Sequence, residues 1–128
     1  MERTFLTLSA VLGFLAVALG AFGAHGLERF LAEATDGAKR MEWWTTAAHY
    51  HLTHAIALGL VAWAASRSGA GAGAATVAGW AFVVGILVFS GSLYVMTVTG
   101  VRWLGAITPL GGVALLVGWA ALAVAASR

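Results

Sequence analysis

Four runs of the sequence contain no aspartate, glutamate, lysine or arginine: Thr4 to Leu27, Trp43 to Ser66, Ser68 to Val101 and Trp103 to Ser127. Each exceeds the roughly 20 apolar residues that an α-helix needs to cross the hydrocarbon core of a bilayer. Backbone groups in lipid have no water to bond, so a spanning segment satisfies them internally as a helix. The runs predict an all-α integral membrane protein with four antiparallel transmembrane helices in one bundle. The helices fall at about 5–24, 43–65, 74–98 and 108–126 and form a single domain over residues 1–128. Composition agrees: only 9% of residues are charged, against about 25% in a soluble domain.

Most of the charge lies between His25 and Glu42. There Leu27, Phe30, Leu31 and Ala34 recur at i, i+3, i+4, i+7, which predicts a short amphipathic helix lying at the interface in the first loop. Thr35-Asp36-Gly37 reads as a turn, with Asp36 placed to cap the next helix. Trp43 and Trp44 mark the aromatic belt where that helix meets lipid. Arg67 and the run Ser68 to Gly73 read as a flexible spacer. Thr99-Gly100 closes the third helix. Thr108 is a good cap for the fourth, with Pro109 at the first helical position; the alternative is a helix from near Trp103, kinked at Pro109.

Small residues at Gly13, Ala16, Gly20 and Gly23, and at Gly111, Ala114, Gly118, Ala121 and Ala125, permit close helix approach. They also make a homo-oligomer or a membrane protein partner an expectation. A cleaved signal peptide with Arg3 as its basic region is the competing reading of the first run, which is longer than the roughly 7–15 residue apolar core of such peptides.

Several function classes are excluded. Cysteine is absent, which removes disulfides, thiolate catalysis and cysteine-ligated metals. A net charge of +2 with no basic cluster is no footprint for nucleic acid. No GxSxG, phosphate-binding loop or pair of intramembrane carboxylates is present. The partner implied by composition is the lipid bilayer, crossed more than once. A raw Lys/Arg count slightly favours the first loop inside, but its basic residues are accompanied by Glu28, Glu33, Asp36 and Glu42. The orientation expected has both termini in the cytoplasm.

The second run carries His49, Tyr50, His51 and His54, and ionisable groups at membrane depth are costly. At 1.5 Å per residue, His51 and His54 lie roughly 12 and 16 Å inside. The up-and-down order brings His25, Ser90, Tyr94 and Thr108 to the same half, while the other half is Leu, Val, Ala and Gly. This predicts a polar pocket open to the first-loop side over an apolar floor. A helical wheel puts Trp43, Ala47, Tyr50, His51, His54, Leu58 and Val61 on one face, with His49 turned away.

Three readings compete for these residues. The first is glue for the bundle through interhelical hydrogen bonds. The second is binding of a small ligand, with His25, Tyr50, His54, Ser90, Tyr94 and Thr108 as candidates; for a metal or redox cofactor the nitrogens are those of His25, His51 and His54. The third is a small transporter or proton-coupled factor, since histidine titrates near neutrality. The sequence names no particular cofactor.

Four motifs occur in order: Gly20-Ala-Phe-Gly-Ala-His-Gly-Leu27, Trp44-Thr-Thr-Ala-Ala-His-Tyr50 followed by His54-Ala-Ile-Ala-Leu58, Phe89-Ser-Gly-Ser-Leu-Tyr94, and Thr108-Pro-Leu-Gly-Gly112 with Gly118-Trp119. Together they resemble the small membrane protein family called domain of unknown function 423, similar to eukaryotic transmembrane protein 256. The resemblance covers nearly the whole chain. It implies a four-helix inner-membrane protein and argues against cleavage near Ala24, and it brings no established activity. Its pattern matches His25, Tyr50, His54, Ser90, Ser92, Tyr94, Thr108 and Pro109, but not His49 or His51. The function expected is a non-enzymatic membrane component binding a small ligand, lipid or partner protein. The alternatives are a cofactor protein using His25 and His54, or a small transporter.

Overall fold

The computed structural model describes residues 1–67 and 69–128; Ser68, the first residue of the predicted spacer, lies outside them. The described residues are helical apart from short turns between helices. Helix α1 runs Glu2–Leu31, α2 Gly37–Arg67, α3 Ala72–Thr99 and α4 Thr108–Ala126. A 3₁₀ turn at Arg102–Ala106 leads into α4.

Among the described residues, three segments are long and apolar enough to cross a membrane: Glu2–Leu31, Ala72–Thr99 and Arg102–Ala126. Helix α2 has the length, at 31 residues, but His49, His51 and His54 lower its hydropathy. It differs from the sequence expectation in this respect, and it also begins six residues early. Ala38, Lys39, Arg40, Met41 and Glu42 are all good helix formers, so the charged stretch extends the helix instead of ending it.

The first loop is shorter than the sequence suggests. No separate interfacial helix forms. Helix α1 passes through a π turn at Gly23–Leu27 and continues to Leu31; no proline interrupts the stretch, and Gly26 alone does not end it. Leu27 and Leu31 face inward beside Trp44, while Phe30 points out. The turn at Asp36 is present, and its carbonyl accepts the Arg40 N–H at 3.0 Å. Its carboxylate caps no backbone; it lies 3.5 Å from Arg40 and 3.4 Å from Arg102.

Side-chain contacts fix how neighbours run. Ser9 bonds the Ala55 carbonyl while Trp44 bonds that of Leu19, so α1 and α2 point in opposite directions. Thr97 meets Arg40 and Ser90 meets Ala47, which opposes α3 to α2. Gly118 packs on Phe82 and Gly111 on Phe89, which opposes α4 to α3. The main core gathers Phe5, Leu58, Val61, Phe82, Ile86 and Leu115. It fills the half of the molecule away from the first loop.

Helix ends explain themselves locally. Gly100 takes φ +72°, the left-handed conformation glycine adopts most easily at a helix C-terminus. Its N–H bonds the Met96 carbonyl at 2.8 Å. Arg40 adds a second cap, donating to the Thr97 and Val98 carbonyls at 2.7 and 2.9 Å; a cation there also offsets the negative end of the helix dipole. Thr108 is not the expected N-cap. Ile107 occupies that place, and the Thr108 hydroxyl turns to Ser92 and the Leu104 carbonyl.

Candidate functional site

The buried polar side chains among the described residues are His51, His54, Ser90 and Thr97, all on α2 and α3. The face of α2 read from the wheel is largely the buried face, with two exceptions. Trp44, and not Trp43, turns inward and is 5% exposed, so it is no belt residue. Tyr50 is 40% exposed, with its ring against Phe89 and stacked on His54.

His54 uses both ring nitrogens. Nδ1 donates to the Tyr50 carbonyl at 2.6 Å, and Nε2 accepts the indole N–H of Trp119 at 3.1 Å. One neutral tautomer serves both bonds, as assigned from the partners. The ring also meets Phe82 at 5.6 Å and Trp119 at 5.9 Å between centroids. Helix α4 is thereby joined to α2 through a polar bond inside an aromatic cluster. Sequence reasoning misses Trp119: its side chain is 40% exposed with only the indole N–H turned to His54, and no local spacing points from residue 119 back to residue 54.

The other candidates form similar cross-links. Tyr94 Oη and His51 Nδ1 lie 3.0 Å apart, joining α3 to α2, and His51 Nε2 is buried without a hydrogen-bond partner. Ser90 is fully buried and donates to the Ala47 carbonyl at 2.8 Å. Ser92 and Thr108 share a hydrogen bond at 2.7 Å between α3 and the start of α4. Ser90 closes a π turn, Ile86–Ser90. The extra residue per turn there changes which side chains face α2, a common device near functional positions.

His25 stands apart. It lies exposed in the other π turn, next to Gly23, which packs on Trp44. His54 is ten residues beyond Trp44, roughly 15 Å along the helix. His51 is bonded towards α3 and His54 towards α4. The three histidines proposed for a metal therefore do not converge. Among the described residues no group of three or more His, Asp or Glu side chains could hold a metal ion.

Tyr50, His54, Ser90 and Tyr94 border neither of two cavities at the first-loop end: one of about 280 Å³ between α1 and α2, bounded by Gly20, Gly23, Met41, Trp44 and Thr45, and one of about 240 Å³ bounded by Glu28, Leu31, Gly37 and Met41. His54, Ser90, Tyr94 and Thr108 are instead bonded to other side chains or to the backbone. One consequence is measurable. His54→Ala should lower stability in detergent by about 1–2 kcal/mol, because it strands the Trp119 N–H and removes an interhelical bond. An unchanged melting temperature would sink the structural role of that ring.

The comparisons with known proteins find relatives that are named membrane proteins. The UPF0382 membrane protein YwdK of Bacillus subtilis is 47% identical over 126 residues, covering 98% of each chain. A UPF0382 membrane protein of Haemophilus influenzae is 42% identical, over 96% of this chain and 93% of its own. The UPF0382 inner membrane protein YgdD of Escherichia coli is 36% identical, over 99% of this chain and 92% of its own. No solved structure matches the chain. The family model described as "Protein of unknown function (DUF423)" matches residues 19–112, which include the His51–Tyr94, Ser90–Ala47 and Ser92–Thr108 contacts but not Trp119. With that match and relatives aligned along almost their full length, the chain belongs to this family of small membrane proteins.

Proposed function

We propose that the protein is a four-span antiparallel bundle of the plasma membrane with both termini in the cytoplasm. In this reading it is a non-enzymatic component that engages lipid or a membrane partner through its outer surface. The observation that carries the reading is how the intramembrane polar groups are used. Both nitrogens of His54 and the hydroxyls of Ser90, Ser92 and Thr108 are engaged in bonds that tie one helix to another or to its own backbone. An interior of this kind holds helices together and leaves binding to the outside. The outside is strongly apolar: Phe14 is 74% exposed and Leu116 70%, which suits contact with acyl chains. The relative named an inner membrane protein supports the same location for this chain.

Helix α2 is the span in question. Its three histidines lower its hydropathy, but His54 bonded to Tyr50 and Trp119, and His51 Nδ1 bonded to Tyr94, engage three of the four ring nitrogens of His51 and His54 within the bundle, which offsets part of the cost of placing them in lipid. Absence of cysteine makes single-cysteine labelling unambiguous. With an impermeant maleimide on whole cells, cysteines replacing Lys39 and Trp103 should label, and cysteines replacing Ser66 and Ser127 should label only after permeabilisation. Labelling of positions 39 and 66 from the same side would show that α2 does not cross. The reverse pattern at all four positions would keep four spans and invert the orientation.

A further inference from the structure

We infer that the end of the bundle formed by the start of α1 and the ends of α2 and α4 is a binding site for one anionic phospholipid. The two ends differ in charge. The first-loop end, with Arg102, carries four basic side chains against four acidic ones, and Lys39–Glu42, Arg40–Asp36 and Arg102–Asp36 pair there. The opposite end carries Arg3, Arg67 and Arg128 against Glu2 alone, and none of these arginines makes an ion pair among the described residues.

The unpaired arginines border two cavities that share one wall, Trp63. The first is about 320 Å³ and lies between α1 and α2, with Arg3, Glu2 and Ser66 at its mouth and Leu6, Gly59 and Ala62 below. The second is about 230 Å³, between α2 and α4, and is bordered by Arg67 and Arg128. The Arg67 guanidinium sits 5.2 Å over the Trp63 ring. Glycine at 59 leaves the groove open: a Cβ there would meet only the Ser9 hydroxyl, at 3.3 Å. A phosphate diester at the level of Arg3 and Arg67 would be charge-matched, while its acyl chain lies along Leu6, Gly59 and Ala62 beside the Trp63 face. Glu2 opposes an anion at the same mouth, which favours a phosphate placed towards Arg67. Basic pockets between membrane helices recognise anionic headgroups in this way.

The site deepens the proposed outward-facing role and rests on α2 crossing the membrane, which the cysteine labelling tests by itself. The experiment is native mass spectrometry of the full chain released from equimolar phosphatidylglycerol and phosphatidylcholine. One phosphatidylglycerol should be retained in preference to phosphatidylcholine. The preference should fall roughly fivefold for each of R3Q and R67Q. Both arginines are exposed, so the folded state tolerates these changes. W63A keeps every charge and should also lose the preference. Equal retention of the two lipids by the wild type would overturn the site. So would a preference that survives R3Q/R67Q, or one that survives W63A, which would show diffuse attraction without a groove. Millimolar inorganic phosphate should leave the retained lipid in place; displacement by phosphate would assign the arginines to a soluble anion. Lipid selectivity that fails while labelling shows four spans removes this inference alone.

Discussion

Gly111→Leu should detach the start of α4 from α3 and destabilise the protein by about 3 kcal/mol or more. A Cβ at Gly111 would overlap the backbone nitrogen of Phe89 and lie 2.7 Å from its Cα. A flexible side chain can swing aside, but a helix backbone cannot, so the two helices must separate. Overpacking of a filled interior ordinarily costs about 1–3 kcal/mol, and contact with backbone places this change at the upper end. Separation would also stretch the Ser92–Thr108 bond, one turn away at 2.7 Å. The control is Gly13→Leu on α1, where a Cβ meets nothing within 4 Å; that change should stay within about 0.5 kcal/mol. Thermal unfolding of both variants in the same detergent decides the matter. Equal melting temperatures would mean that α4 does not dock on α3 through Gly111.

The contrast between those two glycines shows what the sequence can and cannot say. The small-residue stripe on α4 was legible, and Gly111, Gly118 and Ala125 are buried as the stripe predicts. The similar stripe on α1 was legible too, but Gly13 and Gly20 have open space before them, since small size permits close approach without requiring it. Helix positions followed from charge-free runs, because a run of that length has one stable form in lipid. Helix ends at charged segments did not: the same lysine, arginine and glutamate that mark an interface also favour helix, and α2 begins at Gly37.

The cross-links were half legible. A 100° wheel identified His51, His54 and Ala47 as inward, since the buried face of α2 is regular. Which partner each would meet depends on α3 and α4, and α3 contains a π turn at Ile86–Ser90 that shifts its register. No wheel drawn across that turn places Ser90 and Tyr94 correctly relative to Phe82. The join between His54 and Trp119 spans 65 positions of sequence and has no local mark. Adjacent tryptophans at the end of a span fit the aromatic-belt rule equally well, so the rule could not separate Trp43 from Trp44.

What separates them is Gly23, and this makes the second large effect. Trp44→Ala should cost about 3–5 kcal/mol, the range for removing a buried tryptophan. The indole is 5% exposed, contacts Phe22 and Tyr94 with centroids 5.7 and 4.6 Å apart, and donates to the Leu19 carbonyl at 2.8 Å. That carbonyl also accepts the Gly23 N–H, so losing the indole N–H does not leave it unpartnered. Trp44→Phe should therefore cost only about 1 kcal/mol, near the net worth of one hydrogen bond. The sharper test couples both sides of the contact. In the wild-type background Gly23→Ala drives a Cβ to 2.5 Å from the indole Cδ1 and should cost about 1–3 kcal/mol. In the Trp44→Ala background the indole is gone and the same methyl fills part of the void, so Gly23→Ala should be neutral or restore stability. The coupling, about 1–3 kcal/mol, lies within the range for residues in direct contact. Additive effects at 23 and 44 would show that the two side chains do not touch, and that α1 and α2 meet at the first-loop end in some other way.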